Sequence, residues 1–201
     1  MMVKDILNTG IANIDVVYGG IRGTTLSSHH NLKHWHTVAN CGIRTVIDLR
    51  DGDYTDRLYK LCDIHNIRYY SFPMDSHLVP NETIAGRLLE FFDLIDEGDF
   101  YIACAMGLHR TDLALSIYWM FHGAEKDMPP PFLKGHVSDG KMVLERFNNK
   151  VVRRLNSLYV YLSEHTIIPT PDADTFKKRK YELRTHTEKK ALLTINNDPP
   201  T

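Results

Sequence analysis

The sequence predicts an α/β domain with a mostly parallel central sheet and helices on both faces. Two observations carry that expectation: between Val16 and Phe121 short β-prone runs alternate with segments of helical spacing, and the turn residues between them fall at the joints. A length of 201 residues with 43% hydrophobic content suits one such domain with a full core.

Val16 to Gly23 reads as an opening strand and turn, and Asn31 to Asn40 as a short helix ended near Gly42. Thr45 to Leu49 is a strand. Tyr54 to His65 carries Leu58, Leu61 and Cys62 on one helical face, and Ile67 to Phe72 returns as a strand before Pro73. Asn81 is placed to cap a helix whose apolar set is Ile84, Leu88, Leu89, Phe91, Phe92 and Ile95, stopping at Gly98. That helix delivers the chain to the apolar strand Phe100-Tyr101-Ile102-Ala103. Leu113, Ala114, Ile117, Tyr118 and Phe121 then recur at helical spacing.

Beyond Pro129-Pro130-Pro131, the stretch to Lys141 has no clear period and reads as an ordered surface connection. A long helix follows, its stripe formed by Val143, Leu144, Phe147, Val151, Val152, Leu155, Leu158, Tyr159 and Leu162. After Pro169 and Pro171 the chain turns polar, with seven basic residues against two acidic ones between Phe176 and Lys190. Such a stretch is expected to be a solvated helix or a disordered end.

The bulk properties exclude several function classes. A formal net charge of −1 provides no global field for nucleic acid or an anionic membrane. No apolar run is long enough to span a bilayer, and the start M-M-V-K-D-I-L-N-T-G has no secretion-signal pattern, so a cytoplasmic location is expected. Three cysteines, at 41, 62 and 104, are an odd number without metal spacing and fit a reducing compartment. Cys41 and Cys62 read as buried small hydrophobes. His29, His30, His34 and His36 do not share a helical face, so no metal site is expected there.

The chemistry concentrates in the loop C-A-M-G-L-H-R-T, residues 104 to 111, at a strand-to-helix joint. Gly107 is free to take a left-handed backbone conformation, which lets successive N–H groups turn inward at the positive end of the helix and form an oxyanion nest. Arg110 adds a planar fork suited to two phosphate oxygens, and Cys104 in the same field would be held as thiolate. In parallel sheets ligands bind beyond the C-terminal strand ends, where Cys104 falls.

With these flanks, C-x-x-G-x-x-R-T resembles the signature of the cysteine-dependent phosphatases, the protein tyrosine and dual-specificity group. Gly42-Ile43-Arg44-Thr45-Val46-Ile47-Asp48-Leu49-Arg50 looks like the strand that precedes the site in their compact members, the atypical dual-specificity phosphatases. Phe72-Pro73-Met74-Asp75 looks like the entry to the loop carrying their general acid, and Asp75 lies 29 positions before Cys104. The resemblance covers roughly residues 16 to 123.

The resemblance implies a phosphatase-like catalytic domain over 1–169 with a charged tail over 170–201. It implies Cys104 as nucleophile, Asp75 as acid and then base, Arg110 as phosphate clamp and Thr111 as the group that eases departure of the thiolate. Ala105, Met106, Gly107, Leu108, His109 and Arg110 would bind phosphate, with no metal and no cofactor. The partner would be a phosphorylated protein or small molecule, singly phosphorylated because the loop holds no lysine. Asp51 and Asp53, which also follow a strand end, are rivals to Asp75, and His77 is a possible assistant.

Two positions depart from the family pattern. Ala103 stands where the family has histidine, and Asp112 brings negative charge to the first helical turn beside the loop. Both leave open a pseudophosphatase that binds phosphorylated partners without turnover. A rhodanese-like sulfurtransferase, which also places a cysteine in a loop of amides, is a further alternative.

Overall fold

A computed structural model describes residues 10–26, 32–50, 55–74, 79–135 and 150–197. The chain divides into two compact units, 1–111 and 112–201, with the boundary inside the first turn of a helix.

The first unit is built on a five-stranded sheet. β1 (Asp15–Val17) and β2 (Gly20–Thr24) form an antiparallel hairpin in which Val17 pairs with Gly20. Its two turn residues, Tyr18 and Gly19, both have positive φ, 49° and 77°, the backbone that matches the right-handed twist of a two-residue hairpin. The expected strand and turn at Val16 to Gly23 is thus a complete hairpin. β3 (Thr45–Asp48), β4 (Arg68–Ser71) and β5 (Phe100–Cys104) are parallel to one another and to β2, in the order β1-β2-β5-β3-β4. Every residue of β5 is buried, as a central strand covered on both faces requires.

α1 (Leu32–Asn40) and α2 (Thr55–Ile64) cover one face of the sheet. Trp35 and Val38 from α1 and Leu58 and Cys62 from α2 pack there with Ile21, Val46, Tyr101 and Ala103. The alternation of β5 turns Phe100 and Ile102 to the opposite face. On that side Phe91 of α4 (Leu88–Asp96) stacks on Phe72 with ring centroids 4.5 Å apart.

The expected single helix from Asn81 to Gly98 is in fact two, α3 (Asn81–Ala85) and α4, separated at Gly86 and Arg87. Pro80 takes the N-cap position without a side-chain cap bond, and Asn81 is the first helical residue. The break has a tertiary cause: Arg87 leaves helical geometry at φ −119°, donates to the Ser71 carbonyl and lies 4.4 Å over the Tyr70 ring, fastening edge strand β4. Leu89, expected in the apolar set, is exposed.

α5 (His109–Phe121) runs from the first unit into the second, and from Thr111 to Phe121 every residue is buried. The second unit continues with a 3₁₀ turn (Gly123–Lys126), α6 (Lys150–His165) and α7 (Ala173–Asn197). Val151, Leu155, Leu158 and Leu162 of α6 are buried as expected, while Val143, Leu144 and Phe147 lie outside the described residues.

The segment after the prolines is an interior one where described. Pro131, Leu133 and Gly135 are buried, with the Leu133 N–H donating to Thr187 Oγ1 at 3.4 Å. The charged stretch is an ordered helix, α7. Asp172 caps it, accepting the N–H groups of Asp174 and Thr175 at 2.9 Å, and Phe176, Leu183, Thr187 and Ala191 form a buried stripe. Phe176 stacks on Tyr159 of α6 at 4.0 Å. Among the described residues no helix is long and apolar enough to cross a membrane.

Candidate active site

Three parallel strands end side by side at the site. Thr24 of β2 pairs with Cys104, and Asp48 of β3 pairs with Ala103, so the last residue of the central strand is flanked by the ends of both neighbours. The Thr25 N–H donates to the Cys104 carbonyl at 2.9 Å, and the Leu49 N–H to the Ala103 carbonyl at 2.9 Å.

The loop turns back immediately after Cys104. The Gly107 N–H closes on the Cys104 carbonyl at 3.2 Å with Gly107 at φ 64°, and a Cβ at 107 would overlap the Gly23 carbonyl and sit 2.7 Å from the Thr24 nitrogen. Only glycine fits a left-handed position this close to another backbone.

The N–H groups of Met106, Leu108 and Thr111 converge on the Cys104 sulfur. The Thr111 hydroxyl is fully buried and makes no hydrogen bond of ordinary geometry among the described residues, yet it acts on the same sulfur in favour of its charged form. Cys104 is 3% exposed, and burial alone would push its thiol up. The Thr111 hydroxyl and then the hydrogen bonds from the Thr111, Met106 and Leu108 amides outweigh that and hold it below the ordinary thiol value. Cys62 is the contrast: burial, with the Asp48 charge adding to it, pushes that thiol up to about 12, and it stays a core residue. Cys62 is thus the buried hydrophobe expected, whereas Cys41, expected to be buried too, is half-buried and packs against the edge of the same cluster.

Of the other expected site residues, Ala105 and His109 are exposed, Met106 is 60% exposed, Leu108 is buried and Arg110 is half-buried one residue before Thr111. Asp75, Asp51, Asp53 and His77 lie outside the described residues, as do His29 and His30. The backbone leading to Asp75 runs beside the site, since the Met74 N–H donates to the Leu49 carbonyl at 3.2 Å.

The structure also assigns places to two motif residues. Asp48 is buried and its carboxylate is filled: Arg50 grips it with Nε at 2.9 Å and Nη2 at 2.8 Å, and the Tyr69 hydroxyl donates to it at 3.0 Å. This pair ties the ends of β3 and β4 together. Asp112, whose charge the sequence set beside the loop, is fully buried, and its Oδ2 accepts the Gly135 N–H at 2.8 Å.

The sequence reading missed the residues behind the loop. Arg22, 2% exposed on β2, donates Nη2 to the Gly107 carbonyl at 2.9 Å, and Asn13 donates Nδ2 to the Met106 carbonyl at 2.8 Å. The available signal was an arginine inside the strand Gly20-Ile21-Arg22-Gly23-Thr24, because a buried guanidinium requires an acceptor.

A mostly parallel sheet whose central strand ends in a cysteine cradled by loop amides at a helix N-terminus is a phosphatase-like α/β fold. Known structures bear out the fold. A DUF442 candidate phosphatase from Shewanella putrefaciens is 15% identical with a TM-score of 0.55, the match covering 80% of this chain and 98% of that one. A second crystal structure under the same description gives 13% identity and a TM-score of 0.51, over 81% and 96% of the two chains. No family model matches the chain, and no curated protein does.

Proposed function

We propose that the chain is a phosphomonoester hydrolase working through a phosphocysteine intermediate. The observation that carries this reading is the environment of Cys104, where three backbone N–H groups and a hydroxyl offset the penalty of burying a thiolate. A loop that stabilises a negative sulfur has the same donors to offer a phosphate drawn up to it.

In the first displacement the Cys104 thiolate attacks phosphorus, the bond to the leaving oxygen breaks and Asp75, protonated, gives that oxygen its proton. In the second, Asp75 as carboxylate takes a proton from water, the water oxygen attacks phosphorus and the sulfur–phosphorus bond breaks. Inorganic phosphate leaves and the thiolate returns. Arg110 clamps two equatorial oxygens, and the Thr111 hydroxyl stabilises the departing sulfur.

Substrate class follows from the loop. Ala105, Met106 and Leu108 provide no cation, and exposed Met106 offers an apolar contact to an aromatic ring, which favours phosphotyrosyl or other singly phosphorylated substrates. The alternative of a binding module now draws on Ala103, since the Asp112 carboxylate is engaged by Gly135.

Hydrolysis of an aryl phosphate with and without vanadate, by the wild type and by Cys104→Ser, tests the reading. Turnover that vanadate inhibits and that Cys104→Ser loses is the expected result. Phosphate-ligand binding by the wild type without turnover would replace the enzyme by the binding module.

A further inference from the structure

We propose that Arg22 is a positioning residue of the phosphate loop, holding the Gly107 carbonyl outward so that the Leu108 N–H faces the Cys104 sulfur. The inference rests on the phosphatase reading of the loop and extends the site to the β1–β2 hairpin.

The argument is one of peptide geometry. The carbonyl of Gly107 and the N–H of Leu108 belong to one planar trans unit, so they point in opposite directions. A donor that fixes the first on the outer side of the loop aims the second at the inner side. Arg22 Nη2 is that donor, at 2.9 Å in a buried setting, and the Leu108 N–H is one of the groups that bond Cys104. Asn13 acts in the same sense one peptide earlier: it takes the Met106 carbonyl at 2.8 Å, and the N–H of that unit, on Gly107, closes on the Cys104 carbonyl at 3.2 Å.

Register makes the arrangement stiff. Arg22 pairs with Ile102 and Thr24 with Cys104, so the strand bearing the arginine runs beside the strand bearing the nucleophile. The contact between Gly107 and Gly23 leaves no room for the loop to collapse onto the hairpin. A guanidinium buried this deeply is costly. Sequence-distant positioning of a catalytic loop gives it a use that stability alone does not.

The test is the pH dependence of Cys104 alkylation by iodoacetamide, read peptide by peptide by mass spectrometry so that Cys41 and Cys62 do not contribute. Arg22→Met keeps the length and apolar bulk of the side chain without a donor to the Gly107 carbonyl. Its alkylation midpoint should move up toward the ordinary thiol value, with kcat/KM for an aryl phosphate falling on the order of 10-fold. Arg22→Lys should recover part of both, because an ammonium can still donate to the carbonyl. Ile21→Val, in the same strand and core, should leave the midpoint in place whatever it does to thermal stability. A wild-type midpoint below the ordinary value that Arg22→Met does not move would overturn the positioning role while leaving the loop reading intact. An ordinary wild-type midpoint would instead overturn the loop reading, and this inference with it.

Discussion

The buried Thr111 hydroxyl, in the first turn of α5, acts on the sulfur of Cys104 at the end of β5 and favours its charged form. Removing that hydroxyl therefore has an effect of definite sign. A thiol held low is charged above its folded pKa, and the stability this contributes is complete above the ordinary thiol range and lost as pH falls through the folded value. Thr111→Val should therefore shift the acid limb of kcat/KM to higher pH. It should also slow breakdown of phosphocysteine, with kcat falling roughly 10- to 10²-fold and a burst of the first product appearing in stopped flow. An unshifted acid limb would separate Thr111 from the thiolate.

Gly107 and Gly42 both have positive φ, 64° and 83°, but they differ in surroundings. A Cβ at 42 meets nothing within 4 Å, whereas one at 107 overlaps the Gly23 carbonyl. Gly42→Ala should cost about 1 kcal/mol of stability, the strain of the backbone alone. Gly107→Ala should cost more in a urea melt and should also abolish turnover, because the loop has to move off the hairpin to admit the methyl group. Equal costs with activity retained would contradict the close contact.

Asp75→Asn should lower hydrolysis of substrates with poor leaving groups by roughly 10²- to 10⁴-fold, while aryl phosphates with very acidic leaving groups lose much less. Only the former require a proton at bond cleavage. A uniform loss across leaving groups, or none, would move the role to Asp51 or Asp53.

The parts of this fold that were legible in the sequence are those written locally. Phe100 to Ala103, Gly107 and the helical spacing from Leu113 to Phe121 define strand, turn and helix within one stretch of chain, and the chemistry proposed for the loop was read from that order. The break at Gly86 and Arg87 was not legible, since apolar spacing continues across it and its cause is the Ser71 carbonyl and the Tyr70 ring on another strand. Arg22 and Asn13 were hidden for the same reason: their acceptors are 85 and 93 positions away. α7 was obscured by composition, because polar Arg179 and Thr187 occupy buried positions among Phe176, Leu183 and Ala191. Thr187 meets the Leu133 N–H, and Arg179 donates to the Met120 carbonyl, contacts that no periodicity encodes.

The central claim is covalent catalysis by Cys104, and its most direct measurement is acid-quenched intact mass of the wild-type protein during turnover of an aryl phosphate. The account predicts a transient gain of one phosphoryl group that maps to the Cys104 peptide, is lost on further incubation and is absent in Cys104→Ser. Sustained turnover with no phosphoryl group on Cys104 at any quench time, or turnover undiminished in Cys104→Ser, would contradict it.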